Sequence, residues 1–410
     1  MAKENTQREE CAATEKMALE IGIIGGPFDR ITTVLHEFSP GQDDFIRPLE
    51  SYGVTPRTVS EVVEKEVEVI VPARLHPTVF DMNRFNLNRA GGGGIGIAIQ
   101  VYFHAKVRST KEPGIVVNGE RTLIMEHFCH IFKNLLDWPG GLEIELHDHK
   151  RRHVGLGSSI GSMVAACIGI NEVLGRPFNG RELRRIVGYH SCEESPRNNG
   201  YLMPAFETGI GAMAGVNGGW VLGTDDLEMV YRVPLPDTKC IVFIPDVPSL
   251  EDEFLGKETA AESEVELLLR RARYLDSMQS GVKSQLVLYD MLPAMIKGDL
   301  KGIGNAMFDL TFLGSKRAEC EQHGVNGAPI YSYISTFREI GAEVAGMSSV
   351  GPTIFALTQC DETYERILKY LRTQGIPESR IIETAVDNVG GRIIENGVER
   401  IFQHDGWLQG

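Results

Sequence analysis

The run His153-Val154-Gly155-Leu156-Gly157-Ser158-Ser159 carries residue types suited to holding an anion. Glycines let the backbone come close to a phosphate, and serine hydroxyls add donors beside main-chain amides. The run leads into Ser158 to Ile170, a proline-free stretch that is apolar on most faces and predicts a buried helix. The positive end of that helix dipole would then face the ligand. A tight strand-to-helix turn with Ser158 as its cap is the plainer reading of the same residues. The flank His149-Lys150-Arg151-Arg152-His153 favours the anion reading, because it gathers positive charge in a chain of formal net charge −15.

Two more glycine runs carry similar chemistry. Gly91-Gly92-Gly93-Gly94 lies between Asn86-Leu87-Asn88-Arg89 and an apolar run from Ile95. Glycines in such number imply close approach of the backbone to a ligand or to another strand. Gly346-Met347-Ser348-Ser349-Val350-Gly351-Pro352 either completes a phosphate pocket or turns the chain between helix and strand.

The elements that must position these runs can be read from periodicity. Glu66 to Val71 alternates polar and apolar residues as a half-buried strand does, and delivers Pro72-Ala73-Arg74-Leu75-His76 at its end. Strands are also predicted over Ile95 to Ala105, Leu142 to Leu146, Lys239 to Ile244 and Thr353 to Leu357. Arg181 to Tyr189 predicts an amphipathic helix capped by Asn179, and Ala260 to Phe312 is helical in spacing, with interruptions at Gly281 and Gly298. Strands and helices without regular alternation point to an α+β class. The division expected is an N-terminal extension over 1–60, a first domain over 61–235 that holds the phosphate loop, and a second domain over 236–410.

Composition narrows the function. A chain of 410 residues, 42% hydrophobic and 24% charged, is ordinary for a globular enzyme. Its acidic balance disfavours nucleic acid and anionic membrane as partners. No stretch approaches ~20 consecutive apolar residues and the start lacks a secretory core, so a cytoplasmic protein is expected. The seven cysteines are scattered without a CxxC pair and read as free thiols.

In their order, Pro72-Ala73-Arg74-Leu75-His76, Gly155-Leu156-Gly157-Ser158-Ser159 and Gly346-Met347-Ser348-Ser349-Val350-Gly351-Pro352 resemble the motifs of the GHMP superfamily of small-molecule kinases, over roughly Val67 to Leu357. The resemblance implies a two-domain fold, with a ribosomal S5 domain 2-like first domain and a ferredoxin-like second one. Within the superfamily the chain is most similar to the non-kinase β-ribofuranosylaminobenzene 5'-phosphate synthases. That likeness rests on Arg74-Leu75-His76 with Asp81 and Asn83, on Gly92-Gly93-Gly94, on the 153–158 loop, on Thr208-Gly209-Ile210-Gly211 and on the late turn. It implies phosphoribosyl pyrophosphate and an aromatic carboxylate as substrates, with loss of CO2 and pyrophosphate as a C-riboside forms.

Two departures bear on mechanism. Gly211 stands where the kinases carry an aspartate that polarises the acceptor hydroxyl, which favours ribosyl transfer over phosphoryl transfer. Ser159-Ile160 stands where the synthases usually read Gly-Thr, which suggests a specialised relative such as the C-nucleoside synthases of formycin- and pyrazofurin-type pathways. Such a reaction needs a stabilised leaving group and two aligned reactants, with no covalent nucleophile. The candidates for leaving-group binding are Gly155, Gly157, Ser158 and Ser159, then Ser348 and Ser349. Arg74 and His76 would hold a carboxylate or phosphate. Asn83, Gly92, Gly93, Gly94 and Thr208 complete the substrate set, and Asp81, His153 and Glu207 are candidates for proton handling or ribose contacts. For each polar residue an ordinary structural hydrogen bond is the competing reading. Mg2+ is the expected counter-ion of pyrophosphate, although the chain has no recognisable metal motif; no organic cofactor is expected. A homodimer is the expected assembly. The rival readings are a GHMP-type kinase using ATP, and a ligand-sensing protein that kept the fold and lost catalysis.

Overall fold

The computed structural model describes residues 19–23, 31–59, 61–84, 90–151, 154–195, 198–205, 207–247 and 267–402. Its spine is a strand much longer than the alternating hexapeptide suggests. β3 (Lys65–Val79) pairs antiparallel with β4 (Gly94–Thr110) along nearly its whole length and buries Val67, Val69, Val71, Ala73 and Leu75. Beside one end of β4 run β9 (Trp220–Gly223) and β10 (Met229–Val233), and beside the other run β6 (Gly141–His147) and β5 (Ile115–Gly119). Against this sheet lie α1 (Thr122–Leu135), α2 (Ser158–Val173) and α4 (Ile210–Asn217), and α3 (Gly180–Tyr189) packs on α2 and α4. Every residue of α2 is buried, which is why its sequence is apolar all round. Asn179 caps α3 in a capping box with Glu182, as its sequence predicts.

The second layer is a four-stranded antiparallel sheet, β12 (Val344–Met347), β13 (Ile354–Thr358), β11 (Lys239–Phe243) and β14 (Ile381–Ala385), in that spatial order. Its strands are short apolar runs because both faces are covered. Ile241, Phe243, Ala345, Met347, Ile354 and Ala356 pack with α9 (Ala328–Ile340) and α10 (Asp361–Thr373). The alternate residues Cys240, Val242, Val344, Phe355 and Leu357 join the core shared with the first layer, together with side chains of α6 (Leu292–Lys297) and α7 (Leu300–Thr311). No helix among the described residues is long and apolar enough to cross a membrane.

Three expectations differ from the fold. Gly281 lies inside α5 (Arg273–Gln285), so among the described residues of the run, 267–312, only Gly298, with φ of 67° at the end of α6, interrupts it; residues 260–266 lie outside the described residues. The second domain is not one continuous segment: β15 (Arg392–Glu395) and β16 (Val398–Ile401) return to the first sheet and cover the edge of β3 that β4 leaves open. The third concerns the extension. Besides a hairpin of β1 (Leu19–Ile23) and β2 (Ile31–Leu35), residues 36–54 form a strap that packs on the first domain through buried Phe38, Leu49, Tyr52 and Val54.

Two buried histidines fasten that strap by accepting main-chain hydrogen bonds, His127 Nδ1 from the Gly41 amide at 3.1 Å and His190 Nε2 from the Arg47 amide at 3.0 Å. Only neutral imidazole can accept, and burial holds their pKa values down to about 3 and about 4. These folded values lie below the unfolded value of ~6.5, so the unfolded chain takes up protons first as pH falls. The contribution of the pair to stability is therefore complete above about pH 6.5 and drains away toward about pH 3. The urea midpoint should drop between pH 7.5 and pH 5, and His190→Phe should flatten that dependence. A midpoint equally pH-dependent in the variant would contradict the assignment.

Candidate functional site

The end of β3 delivers Arg74 and His76 to a junction of three loops. Pro77 has no N–H for the ladder, and the β3–β4 register slips between Leu75 and Thr78. The His76 amide donates instead to Ser348 Oγ at 2.9 Å, and the His76 carbonyl accepts from the Ser349 amide at 2.7 Å. Ser348 Oγ in turn donates to the Gly155 carbonyl at 2.6 Å. One buried hydroxyl thus joins the strand end, the central glycine loop and the late glycine-serine turn. Ser348→Ala would leave the buried His76 amide without its acceptor and the Gly155 carbonyl with Arg74 as its remaining donor, at a cost of about 1–3 kcal/mol. The expected result is a lower denaturant midpoint; a wild-type midpoint would contradict this role.

Arg74 lies along the central loop. Its Nη1 donates to the Gly155 carbonyl at 3.2 Å, and a Cβ at Gly157 would come within 3.1 Å of the guanidinium carbon. Gly155 and Gly157 both hold positive φ, and a Cβ on Gly155 would strike the Ser348 carbonyl at 2.4 Å. Glycine is needed here because of the positive φ and because the Ser348 backbone closes on Gly155 and the Arg74 and Ile160 side chains on Gly157, while both residues stay half-buried.

Helix α2 has Gly157 as its N-cap, and among the described residues no side chain caps its first amides. The two serines are engaged: Ser158 Oγ accepts from Arg121 Nη2 at 2.5 Å, and Ser159 Oγ donates to Glu193 Oε2 at 2.5 Å. Arg121 is 2% exposed and faces Asp148 at 3.6 Å, Glu194 at 3.7 Å and Glu193 at 3.9 Å. Sequence reasoning passed over all four. The adjacent pair Glu193-Glu194 was the one signal that could have marked them. A guanidinium, a row of open amides and several carboxylates at one helix start can hold an anion together with a cation. Among the described residues, no group of three or more His, Cys, Asp or Glu side chains is arranged to hold a metal unaided.

Helix α4 starts in a different way. The Glu207 carboxylate accepts the Gly209 amide at 2.6 Å and occupies that helix end. Burial pushes its pKa up, opposed by Arg74 and by the neighbouring amides, so Glu207 is a protonatable group close to the α2 loop. Burial, then Arg74 and Lys316, hold the His76 imidazole well below its usual range, which keeps it neutral.

The run Gly91-Gly92-Gly93-Gly94 is explained by protein contacts. Added Cβ atoms would meet Asp225 Oδ1 at 2.3 Å from Gly91, the Asp81 carbonyl at 3.0 Å from Gly92, the Gly223 carbonyl at 2.5 Å from Gly93 and the Thr78 carbonyl at 2.3 Å from Gly94. Neighbouring backbone accounts for Gly92, Gly93 and Gly94, and the Asp225 side chain for Gly91. Asp81 accepts from the Asn83 amide and side chain at 2.9 and 3.0 Å, and Asn83 bonds Arg273 of α5, so this pair ties a turn to the second layer. Thr208 is half-buried beside Glu207. In the basic flank, His149 packs on Phe103 and Lys150 reaches Glu120 at 3.7 Å. Arg152 and His153 lie outside the described residues.

The two departures noted in the sequence meet in space. A Cβ on Gly211 would fall 2.6 Å from Ile160 Cγ1 and 2.7 Å from Ile160 Cγ2. An apolar side chain thus fills the volume that a residue-211 carboxylate would need.

Fold and site together define a protein with the GHMP-type two-domain architecture. A family model described as GHMP kinases C terminal matches residues 291–376. The mevalonate diphosphate decarboxylase of Staphylococcus aureus superposes with a TM-score of 0.55 at 16% identity, over 81% of this chain and 99% of that one, a likeness of fold. Within this class the chain is similar to the beta-ribofuranosylphenol 5'-phosphate synthase of Archaeoglobus fulgidus, 28% identical over 346 residues that cover 78% of this chain and 97% of the relative. It is also similar to the homoserine kinase of Clostridium beijerinckii, 27% identical over 322 residues, 73% of this chain and 93% of the relative.

Proposed function

We propose that the protein is a decarboxylating phosphoribosyltransferase that joins C1 of phosphoribosyl pyrophosphate to a ring carbon of an aromatic or heteroaromatic carboxylate. The observation that carries this reading is the uncapped start of α2, flanked by Arg74 and Arg121, in a chain where Ile160 fills the place of a phosphoryl-transfer base. The likeness to ribofuranosylphenol phosphate synthases supports the same chemistry. In the reaction the C1–O bond breaks and its electron pair leaves with pyrophosphate. The ring carbon bearing the carboxylate attacks C1, and the C–CO2 bond then breaks to restore aromaticity.

Each residue has a task in this scheme. The first amides of α2 and the Arg74 guanidinium stabilise charge on the departing pyrophosphate. Glu193 and Glu194, with the Ser159 hydroxyl, are the groups suited to Mg2+ on that pyrophosphate. Glu207, whose carboxyl pKa burial pushes upward and which feels Arg74, is the candidate for contacts to the ribose, since the step itself moves no proton. The acceptor class is 4-aminobenzoate or an aminopyrazole carboxylate.

The test is mass spectrometry of reactions containing phosphoribosyl pyrophosphate, Mg2+ and a panel of amino-substituted aromatic carboxylates. A ribosyl adduct lighter by CO2 than a simple condensation product is expected. The likeness to homoserine kinases favours a second reading, phosphoryl transfer from ATP to a small alcohol. ATP-dependent phosphorylation of such an acceptor without any decarboxylated adduct would replace the first reading with the second.

A further inference from the structure

The carboxylates Glu193 and Glu194 stand on a hairpin too small to hold itself. β7 (Cys192–Glu194) and β8 (Leu202–Pro204) have three residues each, and an isolated two-stranded hairpin is at best marginally stable in water. The N-terminal strap supplies what is missing. Phe38 adds to the free edge of β8 as an antiparallel bridge, its amide donating to the Leu202 carbonyl at 2.9 Å and its carbonyl accepting from the Leu202 amide at 2.8 Å. Leu202 is itself the partner of Glu194 across the hairpin, so Glu194, Leu202 and Phe38 lie side by side on three strands.

The preceding residue reaches the turn that closes the hairpin. Glu37 accepts from the Ser195 hydroxyl with one carboxylate oxygen and from the Asn198 side-chain amide with the other. Phe38 is 3% exposed, stacks on Phe45 with ring centroids 4.2 Å apart and meets the edge of His127 at 5.0 Å. The hydrogen bond from the Gly41 amide to His127 and that from the Arg47 amide to His190 fix the strap to α1 and to the end of α3. The strap is thus anchored at two points just after its contact with the hairpin, at Gly41 and at Arg47.

We propose that residues 37–47 are a positioning strap for the ligand site, with Glu37 and Phe38 holding the β7–β8 hairpin so that Glu193 and Glu194 face the start of α2. The inference rests on the proposed function, because it assigns the two carboxylates to a metal–pyrophosphate ligand. Glu37 and Phe38 touch no substrate. They act by restricting where Glu193 can meet Ser159 and where Glu194 can meet Arg121. Loss of the strap leaves the anion-binding amides of α2 in place but lets the carboxylates swing away, so the deficit should fall on the Mg2+-dependent part of binding.

The experiment uses the full chain, with inorganic pyrophosphate as the probe and calorimetry with and without Mg2+ as the readout. Wild type should bind pyrophosphate more tightly with Mg2+ than without. Glu37→Ala and Phe38→Ala should lose on the order of tenfold of the Mg2+-supported affinity, about 1.4 kcal/mol, while Mg2+-free binding stays within twofold of wild type. Glu37→Gln, which keeps one acceptor oxygen, should recover part of the loss. A variant that merely unfolds loses both kinds of binding alike, which separates a stability defect from a positioning one. If wild type binds Mg2+-pyrophosphate and Glu37→Ala binds it equally well, the strap proposal is overturned alone. If wild type binds no pyrophosphate under either condition, the functional reading fails and takes the strap's role with it.

Discussion

Ser158→Glu should abolish pyrophosphate binding, by about 100-fold or more (~3 kcal/mol), while leaving the fold intact. The hydroxyl it removes is only 7% exposed and accepts from Arg121. A carboxylate in its place lies beside the same guanidinium, which already faces Asp148, Glu193 and Glu194, so it adds negative charge that this one cation does not neutralise. The same carboxylate also lies against the open amides at the helix start and competes with any anion that they would bind. Calorimetry against a circular dichroism melt separates the two effects. Wild-type affinity in a folded Ser158→Glu protein would mean that the anion sits elsewhere.

Gly211→Asp should destabilise the protein by more than about 3 kcal/mol, because its Cβ overpacks Ile160 and its carboxylate is buried. Ile160→Ala alone should cost about 2–5 kcal/mol through the cavity it opens. Combined, the two changes should cost less than their sum by at least about 1 kcal/mol, since each relieves the other. Denaturant titration of the four proteins in the cycle measures this directly. Strict additivity would mean that residues 160 and 211 are not in contact, and would remove the structural reason for setting phosphoryl transfer aside.

Much of the scaffold was legible because periodicity records which faces are buried. The alternation at Glu66 to Val71 and the all-apolar helix after Gly157 both translate into elements at those places. The cap at Asn179 was legible for a local reason, since a capping box needs only residues three apart. What sequence order hides is what comes from far away in the chain. By sequence Ser348 is a secondary candidate for phosphate binding, and nothing local shows that its hydroxyl joins His76 to Gly155, residues 272 and 193 positions away. Arg121 lies 37 positions before Ser158 in an unremarkable turn, and no local pattern announces that it is buried against carboxylates. The four glycines from Gly91 looked like a ligand cradle for a similar reason: close approach was correctly inferred, but the approaching groups are the backbone of residues 78, 81 and 223 and the Asp225 side chain. The strap at 36–54 has mixed composition and no period, so nothing in it foretold a role.

The central claim is that main-chain amides at the start of α2 bind the pyrophosphate of the donor. A crystal structure with Mg2+ and pyrophosphate tests it most directly. The account predicts a phosphate oxygen at hydrogen-bond distance, about 3 Å, from the amides of Ser158 to Ile160, with Mg2+ between that phosphate and Glu193. Pyrophosphate bound at another place, with the first turn of α2 closed off by protein, would contradict it.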